Sequence, residues 1–354
     1  MSLPPPHRPL GIKALNAVGA GLRRAGLGWP SLEEQNLLDT AVRRAASSDF
    51  GGDDFREGLR VLLESVEREA ELSTLGRLSC RETLLRYLEN RLRLTEYRAQ
   101  HPEIADQVIE RPIFIVGLPR TGTTLLFNLL AQDPANRVPQ SWEVEWPVPP
   151  PEPDTYETDP RIEDGEKLFA NLDRLIPTLP AIHEFGSQLP QECVPINAHA
   201  MLSVQFNITF HAPSYQTWLD RQNMVRSYEF HKKFLQHLQS KYMKQRWALK
   251  SPAHLPAIDE LLEVYPDALI IHTHRDPAKV MPSLASLHYA FRCMNSDSVD
   301  PARIGRNAMD TWSLNLQRAV DARRRHRDKP RQFYDAHFEG TLGDAVGQIE
   351  QAYA

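Results

Sequence analysis

Arg111-Pro-Ile-Phe-Ile-Val-Gly-Leu-Pro-Arg-Thr-Gly-Thr-Thr-Leu-Leu-Phe-Asn-Leu-Leu130 is the stretch on which the reading of this chain turns. Ile113 to Val116 form a continuous apolar run, the pattern of a strand buried on both faces. Gly117 to Gly122 make a short loop, after which Leu125, Leu126, Leu129 and Leu130 recur at helical spacing. Strand, loop and helix in that order aim backbone N–H groups and the positive end of a helix at one spot. Such a spot binds phosphate-like anions.

The spacing Gly117-x4-Gly122-Thr123-Thr124 resembles a nucleotide-triphosphate P-loop. The lysine that should follow the second glycine and reach the terminal phosphates is replaced by Thr123, while Arg120 sits inside the loop. This argues against a kinase or ATPase. Pro119-Arg-Thr-Gly-Thr-Thr124 instead resembles the 5′-phosphosulfate loop of sulfotransferases that use PAPS (3′-phosphoadenosine 5′-phosphosulfate).

The 354 residues are enough for one large domain or two, with 41% hydrophobic and 25% charged residues, ordinary globular values. A formal net charge of −5 argues against general nucleic-acid binding, which needs a basic surface. Cys80, Cys193 and Cys293 are far apart and lack metal-ligand spacing, so ordinary reduced thiols and a cytoplasmic setting are expected. Leu10 to Leu27 is mildly apolar but carries Lys13, Asn16, Arg23 and Arg24, which is too polar and too short for a membrane span. It leaves room for weak peripheral lipid contact, though a flexible or self-packed tail is favoured. No transmembrane segment is expected.

Upstream of the loop the chain reads as helical. Ser31 with Glu34 forms a capping-box pattern opening a helix to about Ser47. Phe55 to Glu71 and Arg81 to Gln100 carry leucine stripes. Residues 1–110 are therefore expected to be a helical region packed on an α/β domain at 111–354. Pro139 to Pro160 holds seven prolines, which exclude a regular element and suggest a rigid wall beside the site. Pro177 to Pro195 is a second irregular stretch. Phe206, Ile208, Phe210, Tyr215 and Trp218 suit either an acceptor pocket or plain core.

Tyr228 to Tyr242 reads as an amphipathic helix, Trp247 to Lys250 as a strand, and Leu255 to Tyr265 as a helix. Ala268 to His274 is the clearest second parallel strand, followed by Asp276 as helix cap and Pro277 at the first helical position. Strands alternating with helices imply a three-layer fold around a parallel sheet, with ligands at the carboxyl ends of its strands.

Arg275 stands at such an end, and Ser283 follows on the next helix. A guanidinium fork with a hydroxyl suits a phosphate monoester, each charge-assisted bond contributing about 1.5–3 kcal/mol. The pair resembles the 3′-phosphate element of PAPS sulfotransferases and follows the loop in that family's order. Leu249-Lys-Ser-Pro-Ala-His-Leu255, Tyr265-Pro-Asp-Ala-Leu269 and Thr273-His-Arg-Asp-Pro277 look like the bacterial sulfotransferase-domain branch related to tyrosylprotein sulfotransferases. Trp142-Glu143 and Pro190-Gln-Glu-Cys193 also fit, and the resemblance runs from about residue 30 to 354.

The resemblance implies the P-loop-like fold, PAPS as co-substrate, no metal, and sulfuryl transfer to a hydroxyl, less often an amine, of a small-molecule or lipid-like acceptor. Arg120 and Lys250 are the cations expected at the bridging oxygen of the leaving phosphate. Pro119, Thr121, Gly122, Thr123 and Thr124 would cradle the 5′-phosphate, and Arg275 and Ser283 the 3′-phosphate. By analogy with the tyrosylprotein enzymes Glu143 is the first choice of base, with His183 and Glu192 as rivals. Family members continue past the segment resembling Phe333 to Ala354 with a loop that closes over the nucleotide. This chain stops at Ala354, which leads one to expect a shortened member whose activity is in question. His272 and His274 share a strand face, but no third metal ligand is within reach by sequence. A P-loop kinase-like phosphotransferase using Thr124 on Mg²⁺, and a non-catalytic nucleotide-binding protein, are the competing readings. A homo-oligomer is compatible with all of them.

Overall fold

The apolar run at 113–117 is the middle strand of a five-stranded sheet in the computed structural model, which describes residues 8–26, 28–182 and 184–353. The strands are β1 (Ile113–Gly117), β2 (Asn136–Arg137), β3 (Arg246–Lys250), β4 (Leu269–His274) and β5 (Phe333–His337). Their order is β2-β3-β1-β4-β5, and every pairing is parallel. β1 lies between β3 and β4, so the crevice at its carboxyl end, beyond Gly117, is the place where such sheets take ligands.

Period-two alternation explains why β1 has to be apolar throughout. Phe114 and Val116 pack with Leu249 and Ile270 beneath one helical layer, which includes Leu235, Leu261 and Trp312. Ile113 and Ile115 pack with Ala248 and Ile271 against Leu126, Phe127 and Leu130 on the other side. Each such side chain contributes about 1.5–3 kcal/mol by leaving water. The result is three layers, as the sequence predicts.

Helices α1 (Leu10–Arg24), α2 (Glu34–Ala45), α3 (Arg56–Glu69) and α4 (Thr74–Gln100) precede the sheet. Two boundaries differ from expectation. The Ser31 hydroxyl accepts from Glu33 N–H in a local turn and caps nothing, so α2 starts at Glu34. α4 begins before Arg81 because the Ser73 hydroxyl accepts from Gly76 N–H. α1 packs on α4: Asn16 Oδ1 accepts from Leu75 N–H, and Arg23 donates to the Thr74 hydroxyl. Among the described residues no helix is long and apolar enough to cross a membrane.

Beyond the loop come α5 (Thr123–Gln132), α6 (Ser141–Glu145), α7 (Arg161–Leu175), α8 (Leu179–Ile182) and α9 (Cys193–Ala198). The proline-rich stretch is thus not free of regular structure. α6 is a single turn closed by reciprocal bonds between Gln140 and Glu143. α10 (Gln205–Phe210) and α11 (Pro213–Leu219) seat Phe206, Phe210 and Tyr215 in the core shared with Leu59, Leu62, Leu84 and Leu88. That aromatic set is therefore chiefly core. α12 (Val225–Gln239), α13 (Ile258–Val264), α14 (Pro277–Asn295) and α15 (Pro301–Arg325) flank the later strands, and α16 (Phe338–Gly343) and α17 (Ala345–Tyr353) follow β5. All three cysteines are buried and unpaired.

Candidate functional site

The loop between β1 and α5 is shaped by its glycines. Gly117 has φ +149°, and a Cβ there would meet the Thr273 hydroxyl at 2.1 Å, so only glycine allows β1 and β4 to end this close together. Gly122 caps α5 with φ +87°, a left-handed conformation natural to glycine. Arg120 also has positive φ, +68°, which is strained for a side-chain-bearing residue and typical of ligand clamps. This geometry turns the Arg120 carbonyl toward β4, where Arg275 Nη1 donates to it at 2.7 Å.

The two phosphate-type elements therefore meet. Arg120 Nε donates to the Ser283 hydroxyl at 3.1 Å, linking the loop to α14, which starts where Asp276 accepts from Ala278 N–H at 2.9 Å. The Arg275 guanidinium lies over the Phe338 ring at 3.9 Å, and its Nε is buried with no hydrogen-bond partner in the protein. A buried, unsatisfied guanidinium nitrogen is costly, and an arriving anion would satisfy it. Phe338 escaped the sequence reading; an aromatic following a half-buried edge strand carries no signal of its own.

Thr121 is placed otherwise than expected. Its hydroxyl donates to Leu118 O at 2.7 Å and contacts the Thr273 hydroxyl at 2.6 Å, so the side chain braces loop against β4 and is 1% exposed. Pro119, Arg120, Gly122, Thr123 and Thr124 instead face a cavity of about 590 Å³. Lys250, at the end of β3, is buried with its Nζ 3.5 Å from the Thr124 hydroxyl and paired with the Glu192 carboxylate. Glu192 lines the cavity beside Gln191 and Val194.

Glu143 is elsewhere. It is fully buried, does not line the cavity, and its carboxylate is claimed by Arg137 Nη2 at 2.8 Å, Gln140 N–H at 2.8 Å and the Tyr156 hydroxyl at 3.4 Å. Burial pushes its carboxyl up, opposed by the Arg137 guanidinium. The first choice of base on sequence is thus placed away from the cavity, with its carboxylate oxygens engaged by these three groups. His183 lies outside the described residues. Only Glu145, two positions on, reaches the cavity from α6, paired with Arg86 of α4 at 2.8 Å.

The far wall is apolar: Phe169, Leu172 and Leu175 from α7, Phe185, and Leu287, Phe291 and Met294 from α14. The sequence reading did not single out α7, although Leu168, Phe169, Leu172 and Leu175 hold its helical spacing. Tyr87, Gln205 and Ile208 complete the lining near the Arg86–Glu145 pair.

The family model described as sulfotransferase family matches residues 112–354. The omega-hydroxy-beta-dihydromenaquinone-9 sulfotransferases Stf3 of Mycobacterium bovis and Mycobacterium tuberculosis are 31% identical over 270 residues, covering 71% of this chain. The match spans 64% of the length of those relatives. Among solved structures, sulfotransferase STF1 from Mycobacterium tuberculosis H37Rv superposes with TM-score 0.82 at 35% identity, covering 91% of this chain and 88% of that one. Sulfotransferase STF9 from Mycobacterium avium superposes with TM-score 0.81 at 29% identity, covering 92% and 83%.

Proposed function

This chain belongs to the sulfotransferase family, and on that premise we propose that it transfers the sulfuryl group of PAPS to a hydroxyl of a lipid-like acceptor. The observation that carries the reading is the junction Arg275–Arg120–Ser283, which joins the glycine loop to the second phosphate element beside a cavity that Arg120 and Arg275 line. Two anion sites at one crevice suit a donor phosphorylated at both ends of its ribose.

On this reading the first-turn amides of α5, with Thr123 and Thr124, hold the 5′-phosphate, and Arg275 with Ser283 holds the 3′-phosphate. The acceptor oxygen forms its bond to sulfur as the bond from sulfur to the bridging phosphate oxygen breaks. Lys250 and Arg120 neutralise the charge that collects on that oxygen. Glu192 takes the hydroxyl proton, because it is the candidate carboxylate that faces the cavity. Its pairing with Lys250 gives way as donor and acceptor enter between them. The apolar wall from α7 and α14 suits a long hydrocarbon acceptor, and the cavity volume is that of a small-molecule site. The printed function of the Stf3 relatives supports the same acceptor class. The same proposal treats residues 1–110 as a helical region that closes one side of the 111–354 unit through α4, and keeps the protein cytoplasmic.

The direct test is transfer of labelled sulfate from PAPS into a lipid extract, with the sulfated product identified. Alongside it, 3′-phosphoadenosine 5′-phosphate should raise the melting temperature in the presence of EDTA. Equal stabilisation by adenosine 5′-phosphate would remove the case for the second phosphate site. A metal-dependent response to ATP would favour a phosphotransferase. Tight nucleotide binding without any transfer would favour a non-catalytic role.

A further inference from the structure

The register of β4 with β5 sets His272 opposite Asp335 and His274 opposite His337. Side chains at alternate strand positions share a face, so three imidazoles and a carboxylate are gathered on one patch of the sheet. None of these residues lines the donor cavity. His274 Nε2 lies 2.8 Å from Asp335 Oδ1, and ligand-type atoms of His272, His274 and Asp335 all fall within 4.8 Å of one another. The His272 and His274 rings are 4.3 Å apart, and the His274 and His337 rings 5.2 Å apart.

We propose that His272, His274 and Asp335 form a binding site for a first-row divalent transition metal such as Zn²⁺, at the carboxyl ends of β4 and β5. The donor set is of the kind such ions select, imidazole nitrogen with carboxylate oxygen. Ligand atoms about 2.0–2.2 Å from a tetrahedral zinc stand roughly 3.3–3.5 Å apart, so modest side-chain rotation converts the existing cluster into a coordination sphere. A second observation points to a ligand. His272 is 7% exposed, and its Nδ1 is buried without a hydrogen-bond partner. The Asp335 carboxylate is held on this patch by its contacts with His274 and Arg323.

Arg323 competes for that carboxylate, with Nη1 and Nη2 each 2.9 Å from its oxygens. Its side chain is 29% exposed at the edge of α15, so it can swing to solvent when a cation arrives. A bound ion would pin β4 to β5 one residue before Arg275 and three before Phe338, the pair that stacks at the donor site. The metal site does not depend on the sulfotransferase reading.

The test is titration of the chelator-treated full chain with Co²⁺, followed by visible absorption and by the melting temperature. One equivalent should saturate a visible absorption of low-symmetry Co²⁺, and Zn²⁺ should displace it. His274→Ala, at a half-exposed position, and Asp335→Asn should each weaken affinity by about tenfold to a hundredfold or more, as loss of a ligand or its partner does. Arg323→Gln should tighten it. Unsaturable binding, binding unchanged in both ligand variants, or weaker binding in Arg323→Gln overturns the proposal.

Discussion

Glu143 and Glu192 both carry an ion pair to a basic residue, and there the likeness ends. The Glu143–Arg137 pair is sealed, its members 0% and 2% exposed, with Gln140 N–H and the Tyr156 hydroxyl taking up the remaining acceptor capacity. The Arg137 guanidinium is further sandwiched by aromatic faces, 4.4 Å from Trp247 and 5.1 Å from Tyr242. In the Glu192–Lys250 pair the carboxylate lines the cavity and is 21% exposed, while the Lys250 side chain behind it is 3% exposed. On the proposed reading the sealed pair serves the fold. The pair at the cavity is the one we propose to serve chemistry.

Four substitutions sharpen or break that contrast. Glu192→Gln removes the proton acceptor while keeping shape, so sulfuryl transfer per folded molecule should fall by about 10²–10⁴-fold, or roughly 3–5 kcal/mol of barrier, with some loss of stability because the buried Lys250 loses its counter-charge. Full activity in this variant would return the role of base to another group, His183 first. Glu143→Gln should act in the opposite sense. Leaving Arg137 buried and uncompensated costs about 3–5 kcal/mol of stability by chemical denaturation, while any activity per folded molecule stays near that of the parent. Loss of turnover without loss of stability in Glu143→Gln would invert the assignment of the two carboxylates.

Arg275→Ala should then erase the thermal stabilisation by 3′-phosphoadenosine 5′-phosphate, weakening its affinity by roughly tenfold to a hundredfold for the charge-assisted bonds of about 1.5–3 kcal/mol. Adenosine 5′-phosphate binding should be less affected. The smallest effect belongs to Ser283→Ala. Removing one neutral hydroxyl is expected to cost about 0.5–1.5 kcal/mol of ligand binding, a few-fold in Kd by calorimetry. A larger loss would mean that the Arg120–Ser283 bond holds the loop itself in shape.

Much of the fold was readable because its signals are local. β1, its loop and α5 follow from an apolar run, two glycines and a leucine stripe, all within twenty consecutive positions. β4 and the capped start of α14 were readable in the same way from Ala268 to Pro277. β5 was not: Phe333, Tyr334, Asp335 and His337 at an edge are half-buried or exposed, so neither a continuous apolar run nor a clean alternation marks the strand. The difference between Glu143 and Glu192 was hidden for a related reason. They lie inside the irregular stretches Pro139 to Pro160 and Pro177 to Pro195, and only packing of α6 over Arg137 seals the first.

From its amino acids alone this chain announced a strand–loop–helix anion cradle, a second cationic element after another parallel strand, and the family in which the two go together. Those features are encoded by backbone preferences over a few residues, which act wherever the segment lies. Which carboxylate faces the cavity, where Thr121 spends its hydroxyl, and that Asp335 stands across from His272 were decided by the tertiary structure. Burial and cross-strand register depend on segments such as β4 and β5, with 61 positions between His274 and Asp335, and no local pattern records which partner will be packed against them.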